Sequence, residues 1–380
     1  MKEFFSDLGE LISFAQVPKS QKRIVFYSEG RDSWIHLKGL IAEFLKITNT
    51  DICYISSDKK DPGLSLKDSR YRTFNISPGH ILNWLFSNIE TDVMVMTMPD
   101  LNTFQLKHSK YNVHYVYLQH SLVSLHMVYR KGAFDHFQTI FCAGAHHIRE
   151  LRAIEQTYNL TAKNLIEHGY SRLDTIMQET AKHTQTTKPT KASTHILIAP
   201  SWGGNGIIET IGEQVVDILL TQGFKVTLRP HPQTIKLAGD KVERIVRQHG
   251  KNSLFNLEVE MSSQASLHQS DLMISDWSGA ALDYAFGLNK PVLFIDVPRK
   301  VNNLDYDKIG IEPLEVSIRS QIGAILALDE LDNIAISINT LLKNYDNQEQ
   351  VQLRDATVFN LGAADSIGAQ ELQKLINKII

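Results

Sequence analysis

Two short segments in the second half of the chain carry side chains that could do chemistry. One is Arg229-Pro230-His231-Pro232; the other is Ser275-Asp276-Trp277-Ser278-Gly279, with Asp283 about one helical turn further on. Each follows an apolar run, 224–228 and 271–274, that reads as a buried strand. Ligands of open parallel sheets bind at the carboxyl ends of strands, near the point where strand order reverses. An imidazole at one strand end, and hydroxyls ahead of a helix at another, could clamp the diphosphate of an activated nucleotide. His231 can donate to a phosphate oxygen whether neutral or charged, and Arg229 would add positive charge. Pro232 lacks an amide hydrogen and restricts its predecessor, so it is expected to block a helix and hold His231 just beyond the sheet. The alternative is that Arg229 and His231 cap the sheet and pair with a nearby acid.

The second segment runs from a strand into a helix expected to begin near Ser278. Helix N-termini present unpaired amides and a partial positive charge, which suit an anion. Ser278 and Gly279 allow close backbone approach, while Ser275, Asp276 or Ser278 could instead serve as an ordinary N-cap. Asp283 would reach a ribose or orient a neighbouring group. Ala199-Pro200-Ser201-Trp202-Gly203-Gly204-Asn205-Gly206 is glycine-rich but lacks Gly-x-Gly-x-x-Gly spacing and a P-loop lysine, and reads as a flexible cleft loop. In the first half, His120 follows the apolar run 113–118 and mirrors His231 across the presumed cleft. An imidazole there could take the proton of an attacking hydroxyl. His126 reads as a surface or packing residue. His146 and His147 are adjacent, and neighbours on a helix face different ways, so no metal pair and no zinc site are expected.

These positions need a scaffold, and the rest of the sequence supplies one. At 380 residues the chain suits two domains. Apolar runs at 24–27, 51–55, 92–96, 113–118, 139–142 and 164–167 read as strands, with helical spacing at 34–45, 81–86 and 145–158. Residues 181–194 are polar, rich in Thr and Lys, and read as a linker. Alternation then restarts, with strands at 196–199, 224–228, 254–257, 272–274 and 292–295 and a helix at 207–220. Helical patterns follow at 318–327, 334–342 and 369–379. Strand–helix alternation means parallel sheets covered on both faces. The expected organisation is a Rossmann-like unit at 1–180, a linker, a second such unit at 195–350 and a helical segment at 351–380. Residues 57–80 fit no element.

Composition narrows the function. A net charge of -3 gives no global attraction to nucleic acid or anionic lipid, so phosphate recognition must be local. Two cysteines, Cys53 and Cys142, lie in apolar runs and read as buried thiols, which fits a reducing cytoplasmic setting. The start carries acids and reads as no signal peptide, and no run approaches a membrane span. Residues 4–14 have helical spacing, with Phe4, Phe5, Leu8, Leu11 and Ile12 able to dock on their own domain or to lie on a membrane.

Taken together and in order, five segments resemble the CDP-glycerol glycerophosphotransferase family, whose members prime and polymerise teichoic-acid-type polymers. Gln119-His120-Ser121 stands where the family has Trp-His-Gly, and His168-Gly169-Tyr170-Ser171-Arg172-Leu173-Asp174 looks like its Gly-Tyr-Pro-Arg-x-Asp. Ala199-Pro200-Ser201-Trp202 is similar to Ala-Pro-Thr-Trp, Arg229-Pro230-His231 to Arg-x-His, and Ser275-Asp276-Trp277-Ser278-Gly279 with Asp283 to Thr-Asp-Tyr-Ser-Ser with a later Phe-Asp. The likeness spans roughly residues 115–296. It implies an α/β chain of GT-B fold: two Rossmann-like domains, a central cleft and C-terminal helices crossing back to the first. It further implies a CDP-activated alcohol donor, no bound cofactor or metal, and a glycan or lipid-linked acceptor reached from the inner face of the cytoplasmic membrane. His231, Arg229, Ser201, Arg172 and the 275–279 turn with Asp283 would hold the donor, and His120 would serve the acceptor. Ser121 replaces the family's Gly, Gly279 its second Ser and Ser171 its Pro. The family's Thr-Pro-Leu-Lys after Trp-His-Gly is absent, which leaves Arg130 or Lys131 to supply that charge. A glycosyltransferase using a CMP- or UDP-sugar, and a non-catalytic nucleotide-binding subunit, are the competing readings.

Overall fold

Runs of four or five consecutive apolar residues can be buried on both faces only within a parallel sheet covered by helices. The computed structural model, which describes residues 2–104, 106–184, 193–260 and 264–379, contains two such sheets. The first joins β1 (Ile24–Ser28), β2 (Ile52–Ser56), β3 (Tyr71–Asn75), β4 (Val93–Met96), β5 (His114–Leu118), β6 (Thr139–Cys142) and β7 (Asn164–Glu167) in the order β3-β2-β1-β4-β5-β6-β7. The second joins β8 (His195–Ile198), β9 (Lys225–Leu228), β10 (Phe255–Leu257), β11 (Leu272–Ser275), β12 (Val292–Ile295) and β13 (Gly323–Leu326) in the order β10-β9-β8-β11-β12-β13. All registered pairs are parallel. Strand order reverses between β1 and β4 in the first sheet and between β8 and β11 in the second. The loops after β8 and β11 therefore flank the crevice where open sheets take their ligands.

Five helices matter for the site: α1 (Lys2–Gln16), α2 (Arg31–Ile47), α3 (Ser171–Thr184), α4 (Gly279–Leu288) and α5 (Ala364–Ile379). The last crosses back to the first half. Ala369, Leu372 and Ile376 are fully buried in one cluster with Leu37, Leu40, Ile41 and Phe44 of α2. The two helices approach closely: a Cβ on Gly39 would sit 1.8 Å from the Asp365 carboxylate. Asp174 on α3 receives the amides of Gly362 and Ala364 at 2.7 and 3.2 Å, which fixes where α5 begins. In α1, Phe14 joins the core, as does Val17 just beyond its end, and Asp7 accepts from Ser77, while Phe4, Phe5 and Ile12 stay exposed. Both cysteines are buried and free.

Several expectations need correction. Residues 57–80 contain the edge strand β3, whose outer side is half exposed. The pattern at 318–327 is not one helix: a turn of helix, Arg319–Ile322, gives way to β13. Gly323 permits that pairing, because a Cβ there would lie 1.7 Å from the Val292 carbonyl. The helix at 207–220 breaks at Ile211 into Ile207–Thr210 and Gly212–Thr221. Pro232 does not stop a helix; it opens one, Pro232–Leu237, at the first position, where a missing amide hydrogen has no cost. Of the linker expected at 181–194, residues 181–184 continue α3, while 185–192 lie outside the described residues.

Replacing Leu372 by Ala leaves a cavity between α5 and α2. It should destabilise the protein by about 2–5 kcal/mol, read as a lower denaturation midpoint with an unchanged slope.

Candidate active site in the cleft between the two sheets

On the second sheet, β9 ends at Leu228 and the chain turns through Arg229 to His231, the N-cap of Pro232–Leu237. Its Nδ1 accepts the Gln233 amide hydrogen at 3.1 Å. The proton of the neutral ring therefore sits on Nε2, the nitrogen this bond leaves free. Burial, and then the nearby Lys300 ammonium, push the His231 pKa down to about 4. His231 is thus a hydrogen-bond donor without being a cation at neutral pH.

After β11, Ser278 caps α4 and accepts the Ala280 amide at 3.3 Å. Ser278, Gly279 and Ala280 remain partly exposed at this helix start. The preceding residues form the frame. Ser275 donates to the Ala199 carbonyl at 2.9 Å, and Trp277 donates to the Val297 carbonyl at 3.0 Å. Asp276 is buried and accepts the amides of Ser201 and Ile207 at 2.7 and 3.3 Å, which pins the glycine-rich loop after β8. Burial raises the Asp276 pKa while these amides oppose the rise. Ser275, Asp276 and Ser201 thus build the turn, and Ser278 and Gly279 front it. Arg229 is buried and bonded to Glu258 at 2.9 Å and Ser266 at 3.3 Å, the acid pairing that the sequence left open.

Across the cleft, His120 follows β5. Its Nδ1 lies 3.0 Å from the Tyr117 hydroxyl, and its carbonyl accepts from the Tyr170 hydroxyl at 3.0 Å. Burial pushes its pKa down to about 4, with a bond to the Thr97 backbone opposing. His36 on α2 lies beside it, ring centroids 5.7 Å apart, and stacks on Tyr170. The loop after His120 is gripped from several sides. His146 donates to the Leu122 carbonyl at 2.9 Å and His147 to the Val123 carbonyl at 3.0 Å. These two rings sit 3.9 Å apart, so adjacent residues do converge here, but on backbone oxygens. His126 is buried, 3.2 Å from Glu150 and 2.9 Å from the Ile311 carbonyl, a packing role rather than a surface one. Ser124 bonds Glu315 of the second half through both hydroxyl and amide. Lys131 pairs with Asp305 at 3.0 Å and Arg130 lies over Phe104, so neither points charge at His120.

The two halves meet at the site. Arg172 on α3 donates to Asp283 on α4 at 2.8 Å, directly behind Tyr170 and His120. Asp283 orients a neighbour; it is not left open to a ribose. A Cβ on Gly279 would lie 2.7 Å from Ser121 Oγ. The two departures from the family pattern thus touch: the small residue has moved from the His120 loop to the start of α4. His36, Tyr170 and Lys300 were not foreseen as site residues. Lys300 stands with its ammonium 4.0 Å from the Trp202 ring centroid, and Trp202 itself lies 6.1 Å from the His231 ring.

Known proteins place this arrangement. The structure is similar to a variant of the wall teichoic acid polymerase TagF, with 15% identity, a TM-score of 0.61 and coverage of 99% of this chain and 98% of that one. It is also similar to the UDP-GlcNAc 2-epimerase of Methanocaldococcus jannaschii in complex with UDP-GlcNAc and UDP (13% identity, TM-score 0.60, 93% and 99% covered). The Neisseria meningitidis UDP-GlcNAc 2-epimerase is alike to the same degree (14%, 0.60, 92% and 99%). Among curated sequences none is similar enough to count as a relative. Two Rossmann-like halves closing on a cleft, with the last helix returned to the first, make this a GT-B protein. The family model for CDP-glycerol:poly(glycerophosphate) glycerophosphotransferase matches residues 12–300, and the chain belongs to that family. It is accordingly a CDP-glycerol glycerophosphotransferase-like enzyme.

Gly279→Ser should force Ser121 and α4 apart and lower turnover, whereas Ser121→Gly with Gly279→Ser should recover most of it. Touching residues couple by about 0.5–3 kcal/mol. Equal losses in the single and double variants would show that the contact does not set the geometry.

Proposed function

We propose that this enzyme transfers glycerol phosphate, or a related alditol phosphate, from a CDP-activated donor to a hydroxyl of a cell-surface glycan or lipid-linked acceptor, releasing CMP. The observation that carries this reading is the pairing across one cleft of a neutral imidazole donor and a helix N-terminus with a second imidazole. His231 follows β9 and α4 begins after β11, the two strands that flank β8 in the second sheet. His120 stands opposite, held against Gly279 by the Ser121 contact.

In the proposed reaction the acceptor oxygen attacks the β-phosphorus. The bond from that phosphorus to the bridging oxygen breaks, and its electron pair leaves with CMP. His120 is unprotonated at neutral pH and takes the acceptor proton. A pKa of about 4 makes it a weak base in the empty site. A diphosphate bound nearby raises that pKa, because a neighbouring negative charge favours the protonated ring. Ser278, Gly279 and Asp283 act through the α4 start, while Arg229, Ser201, Ser275, Asp276 and Arg172 hold the elements that present it. The charge that develops on the leaving group is met by protein groups, so activity is expected to survive chelation by EDTA. Among the described residues no helix is long and apolar enough to cross a membrane. A peripheral position at the cytoplasmic membrane face would bring lipid-linked acceptors to the cleft, and flotation with and without residues 1–20 tests it.

A well-placed donor to a developing charge contributes about 3 kcal/mol. His231→Ala should therefore lower kcat by roughly a hundredfold or more, and an unchanged rate would remove His231 from the mechanism. The histidine pKa values add a pH signature. The neutral rings are the active forms, and they are lost only as pH falls toward about 4. On this account kcat/KM, which reports free-enzyme groups, should stay level from pH 7 down to about 5, where an ordinary histidine would already be charged. Product analysis by phosphorus NMR separates the chemistries: a phosphodiester supports this reading, and a glycosidic link would replace it with a sugar transferase.

A further inference from the structure

Two lysines of the second half have pKa values pushed down to about 8 by burial, Lys290 and Lys300. Their surroundings differ. Lys290 gives its protons to the carbonyls of Leu267, His268 and Ser270. It is a satisfied structural cation. Lys300, in the loop after β12, has neither a hydrogen bond nor a carboxylate at ion-pair distance among the described residues; its partner is the face of Trp202. The two carboxylates that act on it from a distance are Asp276 and Glu209. Asp276 is engaged by the Ser201 and Ile207 amides, and Glu209 Oε1 by the Thr234 hydroxyl at 2.8 Å, while Glu209 Oε2 is buried without a hydrogen-bond partner and beyond ion-pair distance of Lys300. Of the other cations nearby, Arg319 pairs with Asp296 through Nη2 and covers Trp277, with its Nε and Nη1 buried and unpartnered, and Arg299 flanks the same ring.

A half-buried ammonium without a counterion, beside a neutral imidazole donor, is what an anionic ligand would complete. Trp202 carries the ammonium on one side and lies 6.1 Å from the His231 ring on the other, which sets the two donors around one indole. The cation–π contact is weaker than a charge-assisted bond to phosphate in a shielded site. Trp202 therefore holds the ammonium in place without competing with a diphosphate for it.

We propose that Lys300 binds the donor diphosphate together with His231 and the start of α4, and carries the charge that develops on the departing CMP phosphate. This rests on the donor reading above. Lys300 keeps its proton throughout: the acceptor proton goes to His120, the broken bond leaves its electrons on CMP, and Lys300 supplies only positive charge. The charged form is the active one, so kcat/KM falls as pH rises through about 8.

The test compares wild type, Lys300→Arg and Lys300→Met as full chains, by calorimetry with CDP, CMP and inorganic pyrophosphate and by pH profiles with CDP-glycerol. Lys300→Met should lose tenfold or more in affinity for CDP and pyrophosphate. Lys300→Arg should keep activity but lose the fall near pH 8, because guanidinium does not titrate there. In the unmodified chain, CDP or pyrophosphate should protect Lys300 from amine acetylation. Undiminished labelling with CDP bound, or unchanged affinity in Lys300→Met, would overturn the proposal while leaving the donor reading intact. Protection by pyrophosphate or UDP without any turnover of CDP-alcohols would keep Lys300 as a diphosphate ligand and overturn the donor reading instead.

Discussion

The ion pair between Arg172 and Asp283 is the interaction on which the cleft depends. It joins α3, which follows the first sheet, to α4, which follows the second, at 2.8 Å and largely out of water. Burial raises the Asp283 pKa, and the guanidinium opposes that rise. Taking two charges out of water costs several kcal/mol, so such a pair adds little net stability, whereas losing one partner strands the other. Its value here is positional. Asp283 lies on α4, and Arg172 is two residues from Tyr170, whose hydroxyl holds the His120 carbonyl. One ion pair thus ties the His120 loop to the start of α4.

The same logic accounts for the exchange of small residues. Ser121 and Gly279 face each other with room for one side chain. The family pattern puts the glycine on the His120 loop and the serine on α4; this chain does the reverse. Total volume is kept while the hydroxyl changes sides, moving a hydrogen-bonding group from the start of α4 to the loop beside His120.

Much of this was legible in the sequence because parallel strands buried on both faces are solid apolar runs. Strands such as Val93–Met96 and Val292–Ile295 announce themselves, and His120, His231 and Ser278 were visible because they follow such runs. The edge strands β7 and β10 were legible too, but the opposite edges, β3 and β13, were not. Tyr71–Asn75 carries Arg72 and Thr73 on a half-exposed edge, and Gly323–Leu326 follows residues with helical spacing. Pro232 was misjudged because the same missing amide hydrogen that forbids a helix interior suits its first position. Arg229 reads as a phosphate ligand until tertiary structure places Glu258 beside it. His36, Tyr170 and Lys300 reach the site from a helix face, a turn and a loop, where no periodic signal marks them.

The electrostatics follow from the burial of the site. On the proposed reading, a chain with net charge -3 binds a diphosphate without a global excess of basic residues. Burial removes charge from both histidines, so they act as dipoles of fixed direction, and the Gln233 amide decides which His231 nitrogen points outward. Dipoles aimed in advance need no reorganisation when charge moves from one phosphate to the next. They also do not bind phosphate indiscriminately, as a cluster of arginines would. Arg229 and Arg172 are both neutralised by carboxylates, while Arg319 and Arg299 lie against Trp277 beside the α4 start. On the proposed reading, the anion in this cleft meets a helix end, an imidazole and the single ammonium of Lys300 together.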